Sequence, residues 1–306
     1  MPIRPLALFD LPYLYGFREE AVGLDTTRTL TRGSPLGAVG LMAYMNPARH
    51  IYSAIANGSD DSVLGGIIHS KDETFAKLLY LAPASQLGHP DLPELIDNLS
   101  AQAGEWGAFH VLAEVEETSD AFVPLRKSGF SVYAWQRMWD VSEIPETDPS
   151  VEWTKVKSVN VPSMQNLYHQ IVPPLLHPVE PQPRDGSMGW MCSEGARCYV
   201  GVSQGVYGIV LAPLIHPDAS DVSSKLASLI ASLPDRRNRP IYVCVRSYQA
   251  WLEPVLADLG AYGASRQAVM VKHLAHLVKD AQAVSAVPQG VSIQPSRVSK
   301  TDAKNP

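Results

Sequence analysis

Apolar and polar positions alternate along some stretches of the chain and fall three and four apart along others, and the same order of stretches occurs twice. Alternation marks a strand with opposite faces, and three-and-four spacing marks a helix. In the first half, Pro2–Leu8 alternates and predicts a short strand. A helix is predicted from Asp10 to Leu24, with Asp10 as its cap and Pro12 in its first turn. His50–Ala56, Ser62–His69 and Phe75–Ala82 alternate around the turn signals Asn57–Asp61 and Ser70–Thr74, which predicts an antiparallel meander. Leu92, Leu95, Ile96 and Leu99 share one helical face, and Gly104 and Gly107 bracket that helix's end. Ala108–Val115 is the next strand. A strand, helix and strand in succession make a crossover, so it should lie parallel to Phe75–Ala82. A short helix over Ser119–Gly129 and a strand over Phe130–Val141 complete the half.

The second half repeats this order. It reads as a strand at Val151–Lys157, a helix at Val161–Val172, and a hairpin of Ala196–Val202 with Val206–Ala212. A helix at Asp218–Leu233, a parallel strand at Pro240–Val245, a short helix at Tyr248–Gly260 and a strand at Ala261–Leu274 follow. The tripeptide Leu-Ala-Pro recurs at Leu81 and Leu211, 130 residues apart, and Gly129 and Gly260 lie 131 apart. Two landmarks at matching offsets predict a duplicated α/β unit. The modules are placed at 1–141 and 151–279, with a proline-containing linker at 142–150 and a flexible tail at 280–306 that has no sustained period. Val172–Gly186 is long and proline-rich, and reads as a substrate-side loop or a surface connection.

Composition narrows the function. The 306 residues are 45% hydrophobic and carry a net charge of −6, with no basic run of the kind a nucleic-acid binder presents. Cys192, Cys198 and Cys244 lack metal-site spacing and read as reduced core thiols, so a cytoplasmic protein without a metal is expected. Pro35–Met45 is the most membrane-like run and is far shorter than the ~18–20 apolar residues of a spanning helix. No membrane association is expected.

The segment "FHVLAEVEETSDAFVPLRKSGFSVY" (Phe109–Tyr133) resembles the fifth strand, fourth helix and Gly-Phe turn of the GNAT superfamily of N-acetyltransferases. "SVLGGIIHSKDETFAKLLYLAPA" (Ser62–Ala84) is similar to that family's third and fourth strands, and the second half keeps the turn at Gly260 with Ala261 in place of the aromatic. The resemblance implies two acetyltransferase-like modules, each a mixed, mostly antiparallel sheet with flanking helices and one parallel crossover. It also implies that the fourth and fifth strands splay, and that the pantetheine arm of acetyl-coenzyme A pairs with the exposed strand edge while its pyrophosphate sits at the next helix N-terminus.

By that resemblance Leu81, Ala82, Ala84, Gln86 and Gly88 are cofactor contacts in the first module. Ala212, His216, Ser220 and Ser223 are their counterparts in the second, and the first module is the better site because Gly88 survives. Glu114, on the fifth strand, is the candidate base for a small-amine substrate, with a solvated strand end as its plainer reading. His69 is a further candidate for the cleft. The sequence departs from the family pattern in two respects. The phosphate loop carries Asp218 and Asp221 and no glycine in the second module, and Leu125 and Leu256 stand where a tyrosine acid is expected. An acetyl-coenzyme A-dependent N-acyltransferase is therefore set beside a non-catalytic member that is structural, ligand-binding or partner-binding.

Overall fold

The computed structural model describes residues 3–46, 49–57, 62–71, 73–144, 151–184, 186, 188–192, 197–234 and 236–274. The turn signal at 58–61, most of the linker and the tail at 280–306 lie outside the described residues.

The first half contains strand β1 (Ile3–Pro5), helix α1 (Leu11–Gly16), β2 (Val22–Gly23), α2 (Thr26–Arg32), α3 (Ala38–Met42), β3 (Arg49–Asn57), β4 (Ser62–Ser70) and β5 (Phe75–Ala82). It continues through α4 (Leu92–Glu105), β6 (His110–Glu116), α5 (Phe122–Lys127) and β7 (Ser131–Asp140). The second half holds β8 (Trp153–Lys155), α6 (Val161–Ile171), β9 (Gly189–Cys192), β10 (Cys198–Gln204), β11 (Ile209–Ile215), α7 (Val222–Ser232), β12 (Ile241–Arg246), α8 (Leu252–Asp258) and β13 (Tyr262–His273).

Most predicted elements form where the pattern puts them, with three differences. The helix expected over Asp10–Leu24 stops at Gly16, and the chain then extends as β2. A new helix starts behind Asp25, whose carboxylate accepts the Arg28 N–H at 3.1 Å and so satisfies one of the bare donors at the start of α2. The second hairpin strand runs to Ile215 rather than ending at Ala212.

The third difference is register. In each half the parallel strands pair over three residues, beginning at Phe75↔His110 in the first and Ile209↔Ile241 in the second. Leu81 therefore corresponds to Ile215, and the Leu-Ala-Pro echo at Leu211 falls in mid-strand. Gly129 (φ +88°) and Gly260 (φ +85°) do hold equivalent left-handed turns into β7 and β13, a conformation glycine adopts without strain.

All the described strands belong to one sheet, in the order β1-β3-β4-β5-β6-β13-β7-β12-β11-β10-β9-β8, with β2 on β5. The closing strands are exchanged. β13 pairs with β6 of the first half, β7 pairs with β12 of the second, and the two pair with each other in the middle. Periodicity could not show this exchange, because an alternating strand satisfies either neighbour equally.

One face of the sheet carries α4 and α5 over the first half and α7 and α8 over the second, each on its own apolar core. The other face carries α1 and the residues around α3, then α6, with the polar middle of the sheet between them. Among the described residues, no helix is long and apolar enough to cross a membrane.

Candidate functional site

Beyond its three parallel pairs, β5 diverges from β6, and β11 from β12. Each divergence exposes strand-edge donors and acceptors that must find partners, since a buried unpaired backbone group is costly. The two gaps are filled differently.

In the first half the chain fills its own gap. The Ala84 N–H donates to Glu20 O at 2.8 Å, Val22 and Gly23 pair with Leu81 and Tyr80, and Leu24 N–H donates to Leu79 O at 2.9 Å. On the opposite wall the Glu114 N–H donates to Leu24 O at 2.8 Å. Residues 20–24 are thus a short inserted strand bonded to both walls. This corrects the preference for the first module. Leu81 and Ala82 are buried beneath β2, and the N–H of Ala84 is already used. Gln86 lies in a short 3-10 turn and Gly88 is exposed, with open space where a side chain would project. The residues present do not fit a pantetheine arm here.

In the second half one side chain fills the gap. The Gln249 amide accepts the Ile215 N–H through Oε1 at 3.0 Å and donates Nε2 to Pro213 O at 2.8 Å. Gln249 is 1% exposed. A donor and an acceptor two residues apart on a strand edge are what an added amide pairs with. This edge accepts an amide and is occupied by one side chain rather than by backbone, so the residues fit the pantetheine arm that the fold implies.

Ala212 lies on the cavity-facing side of β11. His216, Ser220 and Ser223 lie beyond the strand's end: His216 Nδ1 accepts the Asp218 N–H at 3.2 Å, and Ser220 O accepts from Lys225 Nζ at 2.8 Å. The predicted second set is therefore divided between the cavity and the start of α7. Leu125 and Leu256 are fully buried core residues.

A cavity of about 420 Å³ opens against the second gap. Its walls include Ala212–Leu214 of β11, Cys244 and Arg246 of β12, and Tyr199 of β10. The proline-rich segment adds Glu180 to Pro183, and the first half adds Lys77 and Glu114. The cavity is thus built by both halves, with the segment between α6 and β9 as its cover.

Five charged groups meet in this region, and their pairing is legible in the distances. Lys77 Nζ lies 3.2 Å from Asp25 Oδ2. Arg246 Nε donates to Glu180 Oε1 at 2.9 Å, and its Nη2 lies 4.0 Å from Glu114 Oε1. Arg246 also donates to Gln136, whose amide reaches Gln267 of β13 at 2.8 Å. Burial lowers the pKa of Lys77, but Asp25 and Glu114 outweigh it and the net shift is upward. Burial likewise lowers the pKa of Arg246, but Glu180, Cys244, Tyr133 and Glu114 together outweigh it and hold it well above its usual value. Burial, reinforced by Glu180, pushes the Tyr168 hydroxyl up to about 12.

Glu114 is 8% exposed, so it is not the solvated strand end of the plainer reading. Its Oε2 accepts the Thr26 N–H at 2.8 Å and its Oε1 faces Arg246, so both oxygens are engaged. Glu180 was missed in the sequence. Its Oε1 is shared by Arg246 and the Tyr248 hydroxyl, while its buried Oε2 has no hydrogen-bond partner among the described residues. The only available signal was a lone glutamate within a proline-rich loop of unusual length. His69 does not reach the cleft: it is 3% exposed, bonds Glu73 O at 2.9 Å and stacks with Trp106. Cys244 is a buried thiol that burial pushes up to about 12.

No protein-family model matches the chain, and no curated protein sequence does. Solved structures do. A GCN5-related N-acetyltransferase from Sphaerobacter thermophilus superposes with a TM-score of 0.54 at 11% identity, over 89% of this chain and 95% of that one. A tandem GNAT protein from the clavulanic acid biosynthesis pathway superposes with a TM-score of 0.52 at 12% identity, over 89% and 98%. The chain has the mixed α/β fold of the GCN5-related N-acetyltransferases. Its two halves form the tandem arrangement expected from the duplicated pattern.

Proposed function

We propose that the protein transfers an acyl group from acyl-coenzyme A, acetyl-coenzyme A in the first instance, to a small amine, and that the coenzyme is held by the strand edge of the second half alone. The observation that carries this reading is the Pro213–Ile215 edge. It is shaped for an amide, held only by Gln249, and placed beside a cavity with an unpartnered carboxylate oxygen.

When bound, the coenzyme supplies an acyl group activated as a thioester. The chain's own residues do the rest. Pro213 C=O and Ile215 N–H, now bonded to Gln249, would hold the pantetheine amide. Asp25, Glu73, Glu114 and Glu180 against Lys77, Arg246 and Arg184, the partner of Glu73, leave the region one negative charge in excess, which favours an ammonium group. Glu180 Oε2 is the atom with capacity to bind that ammonium and take its proton. Arg246 and Tyr248 fix the carboxylate from its other oxygen. In this reading the proton-accepting role expected of Glu114 moves to Glu180, and Glu114 positions the start of α2.

A second reading, a protein that binds a small ligand without transferring a group, is favoured by α7. Asp218 and Asp221 stand before its N-terminus, Asp221 is in the left-handed conformation, and no glycine opens the turn toward a pyrophosphate. Calorimetry with acetyl-coenzyme A separates the two. Acyl transfer predicts binding by the native chain, tighter binding by Gln249→Ala because the competing amide is gone, and no effect of Gly88→Glu. If neither the native chain nor Gln249→Ala binds at several hundred micromolar ligand, the transfer reading is wrong and the binding reading stands.

A further inference from the structure

Beside the central cavity lies a second one of about 300 Å³, walled by α2, the ends of β3 and β4, and the end of β10. Arg28, Arg32 and Arg49 line it together with Lys77. The one carboxylate in its walls, Asp25, is already bonded to Lys77 and to the Arg28 N–H. All three arginines are half-buried, and none makes a side-chain hydrogen bond or ion pair with a described residue. Asp25 offsets only part of their mutual repulsion. Burial, with Arg49 and Arg32 acting against Asp25, holds Arg28 below its usual pKa, and burial with Arg32 does the same to Arg49.

Guanidinium groups held this close in a partly dehydrated recess, without an acid of their own, are matched by a multivalent oxyanion. Their planar forks fit phosphate oxygens, and charge-assisted bonds there are short and strong. The hydroxyl-bearing Thr27, Ser70 and Ser203 in the same walls add donors of the kind phosphate oxygens accept.

We propose that this cavity is an anion site that takes the phosphate or diphosphate group of a small molecule. It shares Thr27, Lys77 and Ser203 with the central cavity. A ligand anchored here by its phosphate extends toward Glu180, which would make the acceptor a phosphorylated amine. That extension rests on the acyl-transfer reading, while the anion site itself does not.

The test is titration of inorganic pyrophosphate into the full chain at low salt, followed by calorimetry and, independently, by the rise in melting temperature. Binding is expected, weakening by about tenfold or more in Arg28→Gln and in Arg49→Gln, and weakening with added salt. Arg28→Lys, which keeps the charge and loses the fork, should fall between. No binding at millimolar pyrophosphate by either readout overturns the proposal, as does unchanged binding in the Arg28→Gln/Arg49→Gln double variant. Acetyl-coenzyme A binding should survive that double variant, and pyrophosphate binding should survive Gln249→Ala. Failure of one site is thereby distinguished from failure of the other.

Discussion

Arg246→Met tests the buried charge cluster on which the reading of the cavity depends. The substitution keeps most of the apolar stem and removes the cation between Glu180 and Glu114. The three side chains are 14%, 7% and 10% exposed, so water can do little to replace the lost partner. Three contacts disappear: the 2.9 Å bond to Glu180, the 4.0 Å approach to Glu114, and the donation to Gln136. Removing one member of a buried pair costs about 3–5 kcal/mol, mostly because a charge is left uncompensated. At the protein surface the same pair would be worth about 0–1 kcal/mol. Urea unfolding at neutral pH should therefore show a loss of about 3–5 kcal/mol for Arg246→Met. Adding Glu180→Gln, which removes the stranded charge, should recover at least about 1.5 kcal/mol as a coupling between the two sites. A loss below about 1 kcal/mol, or strict additivity in the double variant, would show that the cluster is screened by water and would refute the reasoning.

Three further outcomes follow from the packing and the ionisations. Gly205 lies so close to α2 that a Cβ there would sit 1.9 Å from Thr31 O, so Gly205→Ala must push the β10–β11 turn off the helix. A cost of about 1–3 kcal/mol is expected, seen as a lower melting temperature, and an unchanged melt would mean the turn does not dock there. Burial pushes Cys244, Tyr168 and Tyr199 each up to about 12, from ordinary values of 9.0 for the thiol and 10.0 for the phenols. The unfolded chain ionises these groups first, so their contribution is intact below pH 9.0 and declines as pH rises toward about 12. Unfolding followed over that range should show a falling stability, and labelling of Cys244 by an alkylating reagent at pH 8 should require unfolding.

The sequence by itself determined the elements and their repetition. The alternation at Phe75–Ala82, the helical spacing at Leu92–Leu99 and the glycines at Gly129 and Gly260 are local signals, decided by which side chains a strand or a turn can carry. They sufficed to give the acetyltransferase-like order twice. They could not align the halves correctly, because the Leu-Ala-Pro echo is a resemblance of letters, whereas equivalence is set by where the parallel pairing begins.

Tertiary structure decided the rest. The exchange of β7 and β13, the insertion of residues 20–24 into the first gap and the reach of Gln249 into the second all join residues far apart in the chain. So does the meeting of Glu180, Arg246 and Glu114, which no local period encodes. The physical reason is that a parted pair of strands leaves polar edges that must be satisfied from somewhere, and composition does not say from where. The first half supplies backbone and the second supplies one side chain, and that difference is why the edge that fits the coenzyme belongs to the second.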